Sequence, residues 1–134
     1  MKRGKTKSYD ISYIVCAREI LNKDPGQRLT ITALALEVGI NSCKLQEGFK
    51  EIFQQTIHQY RLDLRLTLAK RLLDETDLTV AEVAYKSGFN SRDGFARSFR
   101  KKYRQTPREW RKEKNVLSDE WERLMITLAG PLLN

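Results

Sequence analysis

The chain has 134 residues, 40% of them apolar, so it is long enough to bury a hydrophobic core and too apolar to be disordered throughout. Its 25 Lys and Arg outnumber 17 Asp and Glu, and the net charge of +8 favours a polyanionic partner, either nucleic acid or an anionic membrane surface. No apolar run approaches the roughly 18 residues of a membrane span, and no apolar stretch follows Met1 as in a signal peptide. The sequence therefore predicts a cytoplasmic chain.

The sequence contains little that indicates a catalytic site or a metal site. The two cysteines, Cys16 and Cys43, are too few for a zinc site and have no His partners at ligand spacing. No phosphate-cradling glycine loop and no nucleophile–base pair stands out. We therefore expect reduced thiols, no metal, no cofactor and no enzymatic activity.

The positive charge is concentrated in two places. Residues 92–114 hold ten basic and three acidic side chains. The basic leader, residues 1–8, contains Lys2, Arg3, Lys5 and Lys7. Residues 9–91 and 115–134 are slightly acidic, so the excess forms a localised patch, for which the alternative interpretation is a merely solvated basic face.

Helical periodicity runs through the first half, and no alternating strand pattern occurs. The predicted helices cover residues 9–23, 32–38, 42–53 and 57–73. Pro25-Gly26 ends the first, Gly39 ends the second, and Asn41 is a plausible N-cap for the third. Thr56 and Gln59 form a possible capping box for the fourth, whose wide apolar face predicts a central strut packed on more than one side.

The second half repeats part of the first. Matching pairs 49 residues apart are Thr30-Ile31 with Thr79-Val80, Leu34-Ala35 with Val83-Ala84, and Gly39-Ile40 with Gly88-Phe89. Leu45 and Phe49 match Phe95 and Phe99 at an offset of 50, so the second turn is one residue longer. The repeat predicts two more helices, over 80–87 and 91–103.

The C-terminal region predicts two further helices. Thr106 and Glu109 cap a short helix to about residue 113, with Pro107 at its first position. A separate amphipathic helix over 118–129 carries Trp121 and is ended by Gly130-Pro131. We expect this tail to pack on its own domain; a partner-binding face is the alternative.

Each repeat copy is a short helix, a turn at Gly and a longer helix, which is the pattern of a helix-turn-helix unit. In such a unit the second helix lies in the DNA major groove. A linker of about 17 residues is roughly 26 Å long, so with its flanking turns the two reading helices can lie about 34 Å apart, one turn of B-DNA. One chain could then read two successive grooves without dimerising.

At residues 29–53, 56–73 and 78–111 the chain resembles the DNA-binding domain of the AraC/XylS family of bacterial transcription regulators. The diagnostic stretches are LTITALALEVGINSCKLQEGFKEIF and LTVAEVAYKSGFNSRDGFARSFRKKYRQTPREWR. The resemblance implies an all-α fold with two homeodomain-like helix-turn-helix subdomains, at 9–56 and 74–114, joined by the 57–73 linker helix, about seven helices in all plus a C-terminal helix in the 115–134 tail. It also implies a nucleoid-associated regulator, usually an activator that recruits RNA polymerase. The family usually has a separate sensor or dimerisation domain, so the chain is expected to be either the C-terminal piece of a longer parent chain or one of the small single-domain members.

By position, the resemblance assigns base reading to Ser42, Cys43, Gln46 and Glu47 in the first unit and to Arg92, Asp93, Ala96 and Arg97 in the second. The groups expected to contact phosphates are Lys44, Lys50, Arg100, Lys101, Lys102, Arg104, Thr106 and Arg108. Glu47, Gly48 and Gly94 depart from the family pattern, which predicts weaker binding by the first unit and a softer start of the helix that begins near residue 91.

Single residues have plainer interpretations beside the functional ones. Cys43 is either redox-sensitive or a small thiol near the groove. His58 has no partner and is expected in solvent, and Trp110 is expected in the core rather than stacked on a base.

The competing functions are a helical protein-interaction module, such as an anti-activator that keeps the fold without reading DNA, and a membrane-surface module. The acidic tail around Glu120 argues against the membrane.

Overall fold

The structure, a computed structural model, describes residues 10–133, with side chains to residue 128. The predicted basic leader, residues 1–8, lies outside the described residues. Within them the chain forms seven helices and no strand. The helices are α1 (Ile11–Lys23), α2 (Ile31–Val38), α3 (Ser42–Phe53), α4 (Ile57–Glu75), α5 (Val80–Lys86), α6 (Arg92–Tyr103) and α7 (Pro107–Leu133). The expected all-α class is confirmed.

Helix starts follow the capping residues of the sequence. The Asn41 side chain accepts hydrogen bonds from the backbone N–H groups of Cys43 and Lys44, at 2.7 and 3.2 Å, which confirms the predicted N-cap of α3. Thr56 and Gln59 form the predicted capping box of α4. Such caps satisfy N–H groups that have no partner inside the helix.

The two turns depend on glycine. Gly39 ends α2 with φ of 89°, and Gly88 follows α5 with φ of 94°. Backbones with positive φ are strained for residues with a Cβ, so glycine lets each short helix turn sharply into the longer one. The second turn is one residue longer, as predicted. α3 begins at Ser42, three residues after Gly39, whereas α6 begins at Arg92, four residues after Gly88.

The buried side chains form two cores, one for each half of the molecule. The first lobe consists of α1, α2, α3 and the N-terminal part of α4, and the second consists of the rest of α4 with α5, α6 and the start of α7. Ile57 of α4 is buried in the first core, whereas Leu66, Ala69 and Leu73 are buried in the second. The strut interpretation of this helix is therefore confirmed, and it ends two residues later than predicted.

The internal repeat extends beyond the helix-turn-helix units. Phe49 packs edge-on against Tyr60 with ring centroids 5.4 Å apart, and fifty positions later Phe99 packs on Trp110 at 6.1 Å. Arg61 donates to the Leu29 carbonyl, and its counterpart Arg111 donates to the Leu78 carbonyl. The start of α7 thus plays in the second lobe the part that the start of α4 plays in the first.

The C-terminal tail differs from prediction. The expected short helix and the expected 118–129 helix are one continuous helix, because residues 114–117 contain no Gly or Pro to break it. α7 also continues past Gly130-Pro131 to Leu133; a proline this near a helix end removes one backbone donor where few bonds remain.

The expected packing of this tail on its own domain is also wrong. Trp121 is 63% exposed and Leu128 is 66% exposed. A straight helix rises about 1.5 Å per residue, so Trp121 lies about 21 Å along the axis from Pro107, which is buried. The tail therefore presents an open apolar face, whose main exposed side chains are Val116, Leu117, Trp121, Leu124, Met125, Ile126 and Leu128.

Two capping boxes predict a specific response to acid. The pKa of Glu82 lies below its ordinary 4.5 because its carboxylate accepts from the Thr79 N–H, at 2.8 Å; the Thr106 N–H lowers the pKa of Glu109 in the same way. A carboxylate with a lowered folded-state pKa adds stability above its unfolded pKa, and this stability is lost as pH falls through the folded value.

We expect a Glu82→Gln, Glu109→Gln double variant to lose less stability than the parent as pH falls from about 5 to about 3. Glutamine can still accept the capping bond, as Gln59 does from Thr56, but it does not titrate. Urea unfolding at a series of pH values measures the difference, with a Glu120→Gln, Glu122→Gln double variant on the exposed tail as the charge-matched control. Equal slopes for parent and double variant would refute the assignment.

Candidate nucleic-acid interface

α3 has a buried face and an open face. Leu45 and Phe49 lie in the first core, and the residues between them on the opposite side are exposed. Three of the four predicted base-facing residues, Cys43, Gln46 and Glu47, are exposed, and Ser42 is half-buried. The Gln46 amide nitrogen donates to the Ser42 carbonyl at 3.3 Å, a weak contact that a base could replace.

α6 repeats this arrangement. Phe95 and Phe99 are fully buried, while Arg92, Asp93 and Arg97 are exposed and Ala96 is half-buried. Ser91 caps the helix by accepting from the Gly94 N–H at 3.0 Å. At Gly94 a Cβ would stand 3.1 Å from the Ser91 hydroxyl, so glycine fits this cap closely. Asp93 lies in the first turn, where the helix dipole favours a carboxylate.

A shallow cleft of about 270 Å³ joins the start of α6 to the start of α7. Its lining includes Arg92, Asp93 and Ala96 from α6 together with Thr106, just before α7, and Arg108 in its first turn. The structure thus brings the second unit's predicted base-facing residues beside part of the predicted phosphate-contacting set. Arg100 and Lys101, farther along α6, and Arg104, at its C-cap, are all exposed.

Lys102 does not lie with the other cations. Its ammonium nitrogen is 3.3 Å from the Asp63 carboxylate on α4. Helical spacing explains this, because residue 102 follows the buried Phe95 and Phe99 at offsets of seven and three and so lies near their face of α6. The spacing alone could have excluded Lys102 from the open face.

The start of α7 offers less to a phosphate than expected. The Thr106 N–H donates to the Glu109 carboxylate at 2.9 Å, and the Thr106 hydroxyl accepts from the Glu109 N–H at 3.1 Å. The Thr106 N–H is thus engaged in the capping box and Pro107 has no N–H to donate, whereas the Thr106 hydroxyl keeps its own proton as a donor. The groups that this helix start can offer to a phosphate are therefore the Thr106 hydroxyl and the Arg108 side chain.

Arg111 belongs to the basic patch in sequence but not in space. Its guanidinium donates to the carbonyls of Leu73 at 3.3 Å and Thr76 at 3.1 Å, as well as to that of Leu78. A cation at the end of α4 satisfies carbonyls that have no partner inside the helix. Arg111 is thus a structural residue, a role that sequence reasoning missed.

The structure also locates His58, Trp110 and the two cysteines. His58 is exposed, and Trp110 packs against the second core while its indole N–H donates to Asp74 at 2.9 Å. Cys16 and Cys43 are free and exposed. Among the described residues no three His, Cys, Asp or Glu side chains cluster as metal ligands would. No helix in the described part of the chain has the length and apolarity to cross a bilayer.

Two lobes, each with a short helix, a glycine turn and an open second helix, define a double helix-turn-helix module. A family model described as a helix-turn-helix domain matches residues 34–113, more than half of the chain. The chain belongs to this family. Its class is that of DNA-binding transcription regulators, which confirms that it is not an enzyme.

The comparisons agree in sequence and in fold. The melibiose operon regulatory protein of Escherichia coli K12 is 31% identical over 86 residues, 64% of this chain and 28% of that protein. A transcriptional regulator with an AraC-type DNA-binding domain from Chromobacterium violaceum superposes with a TM-score of 0.69 at 26% identity, over 77% of this chain and 92% of that chain. With the family match, this likeness identifies the chain as a domain of the AraC type.

The DNA-binding domain of AdpA, solved with a target DNA, has the same fold, with a TM-score of 0.72 at 20% identity over 77% of this chain and 93% of that chain. The chain spans about a third of the length of the curated relatives that it matches, 37% of the Msm operon regulatory protein of Streptococcus mutans and 28% of the melibiose regulator.

Proposed function

We propose that this domain reads two successive major grooves of one duplex, with α3 in one and α6 in the next. The observation that carries the proposal is the presence of two open reading faces on lobes that share α4. That helix has 19 residues, so it is about 28 Å long, comparable with the ~34 Å pitch of B-DNA. In this scheme residues 9–56 and 74–114 are the reading subdomains and 57–73 is the linker.

The base contacts come from the open faces of α3 and α6. In the first unit the readers are Ser42, Cys43, Gln46 and Glu47, and in the second they are Arg92, Asp93, Ala96 and Arg97. The phosphate contacts come from the exposed cations beside them, Lys44, Lys50, Arg100, Lys101, Arg104 and Arg108, and from the Thr106 hydroxyl. Phosphate contacts fix the register on the duplex and base contacts select the sequence, so both sets are needed for specific binding.

The wider role is that of a cytoplasmic, nucleoid-associated activator that recruits RNA polymerase. The relatives include operon regulators about three times as long as the matched region. Sensing or dimerisation is then the task of a separate domain in a longer parent chain.

Footprinting of a monomer tests this function. Sites selected from a random duplex pool should be non-palindromic, and the protein should protect two major-groove segments about 10 base pairs apart. The measurement is made at concentrations at which sedimentation shows a monomer. Protection only of a palindrome, and only by a dimer, would contradict the proposal, and failure to protect any duplex would favour the protein-interaction module.

A further inference from the structure

The loop between α1 and α2 leaves the first lobe and packs on the turn of the second helix-turn-helix unit. A Cβ at Gly26 would stand 2.2 Å from the Lys86 carbonyl oxygen, so the backbones of the two lobes touch there. A Cβ at Gly88 would stand 3.0 Å from the Gly26 carbonyl oxygen. At this point the two lobes contact each other directly, and not only through the linker helix.

Arg28 makes the polar part of this contact. Its guanidinium donates to the carbonyls of Tyr85 and Gly88, each at 3.1 Å, and of Phe89 at 3.2 Å, and to the Asn90 side-chain oxygen at 2.9 Å. It also lies 4.8 Å from the centroid of the Tyr85 ring. Four acceptors fix the planar guanidinium in one orientation, which a single ammonium group could not achieve.

Arg65 holds the same loop from the other side. From α4 it donates to the carbonyls of Pro25 at 2.9 Å and Gln27 at 2.6 Å. Burial of its guanidinium, together with the positive charges of Arg61 and Arg28, lowers the pKa of Arg65 to about 10. The linker, the loop and the second turn therefore meet at one place, which we call the interlobe clamp: Gly26, Arg28 and Arg65 with residues 85–90.

The clamp is connected directly to both reading units. The loop leads into α2, which packs on the first reading helix, and residue 90 is followed by Ser91, the N-cap of α6. Two lobes joined by one helix alone can bend and twist about it, whereas a second contact away from that helix removes this freedom. The clamp thus fixes the position and rotation of α6 relative to α3.

Two reading helices held in a fixed relative position can bind together only to half-sites with the matching spacing and rotation on the duplex. Adding one base pair between two half-sites moves the second by about 3.4 Å and turns it by about 35° around the duplex. A clamped protein cannot follow this change, so it would have to release one half-site. We propose that Arg28 and Gly26 are positioning residues that set the half-site spacing this domain accepts, an inference that rests on the proposed function.

The test compares spacing preference, which a loss of general stability would not alter selectively. The parent protein, Arg28→Ala and Gly26→Ala are titrated against the selected site and against versions with one base pair added or removed between its halves. For the parent we expect each change to weaken binding at least about tenfold, because simultaneous engagement is lost. For both variants we expect the spacings to differ by less than about threefold.

Several controls separate the explanations. Arg123→Ala removes the same charge from the exposed tail and should keep the parental preference, while Gly26→Ala alters the clamp without changing charge, and circular dichroism monitors folding. Binding of each variant to a duplex with only the second half-site should equal that of the parent. Parental spacing penalties in both variants, or no penalty in the parent, would overturn the clamp, whereas no binding of the parent to any duplex would refute the proposed function itself.

Discussion

Raising the salt concentration from about 50 to about 200 mM is expected to weaken binding to the selected duplex about 10³–10⁵-fold, as for proteins with six to ten phosphate contacts. The open faces and their edges carry six exposed cations assigned to phosphates, along with Arg92 and Arg97. Each neutralised phosphate releases condensed counterions, so the logarithm of the binding constant falls linearly with the logarithm of the salt concentration. Fluorescence anisotropy titrations across this range measure the slope.

Two neighbouring lysines provide a matched control for the salt effect. Lys101→Gln should reduce the slope by about one, because Lys101 is exposed beside Arg100 and is assigned to a phosphate. Lys102→Gln should leave the slope nearly unchanged, because this ammonium is paired with Asp63 on the linker. A flat plot for the parent would refute DNA binding through phosphates, and equal effects of the two variants would refute this orientation of α6.

The second large expected effect is that the two reading helices, α6 and α3, contribute differently to DNA binding. Arg97→Ala should cost about 1–3 kcal/mol on the selected site, as for an Arg that pairs bidentately with guanine. Arg97 is exposed on the open face of α6. Of the four residues assigned to base reading on this helix, only Asp93 is acidic. Binding to a scrambled duplex should change much less, because a base contact contributes mainly to specific binding.

Glu47→Gln should act in the opposite direction. A carboxylate can only accept hydrogen bonds, for instance from cytosine N4, and nearby phosphates repel it. Removing its charge should tighten binding to scrambled DNA and lower the discrimination between the two duplexes. Glu122→Gln on the tail removes the same charge far from the reading face and should change neither. A neutral Arg97→Ala, or equal weakening of both duplexes by Glu47→Gln, would show that the units do not divide the work in this way.

Local features of the fold were predictable because they depend on a few residues close in sequence. Gly39 and Gly88 have the positive φ angles that a sharp turn requires. Asn41, and Thr56 with Gln59, cap helices as their spacing predicts. These residues act within four positions of themselves, so no knowledge of the tertiary structure was needed.

The arginines show what the sequence could not reveal. In sequence Arg28, Arg61, Arg65 and Arg111 count simply as positive charge, yet each donates to backbone carbonyls 30 to 60 residues away. Such contacts depend on how the lobes pack, which periodicity does not report. One signal was available, since Arg61 and Arg111 are 50 residues apart, as are Phe49 and Phe99.

The packing of the tail could not be predicted, for a different reason. An amphipathic pattern predicts that a helix has an apolar face, but not that anything within the same domain covers it. The uninterrupted helix through residues 114–117 carries Trp121 and Leu124 away from the second lobe, where both stay exposed. A break in the helix, rather than its amphipathicity, would have been required to fold the tail back.

Methylation interference on the selected site tests most directly whether one chain reads two major grooves. Guanine N7 lies in the major groove, so a methyl group there blocks a reading helix without altering the phosphates. We expect N7 methylation to block binding in two clusters about 10 base pairs apart, with Arg97→Ala weakening the interference only in the cluster read by α6. Interference confined to a single cluster, or caused only by minor-groove adenine methylation, would contradict the account.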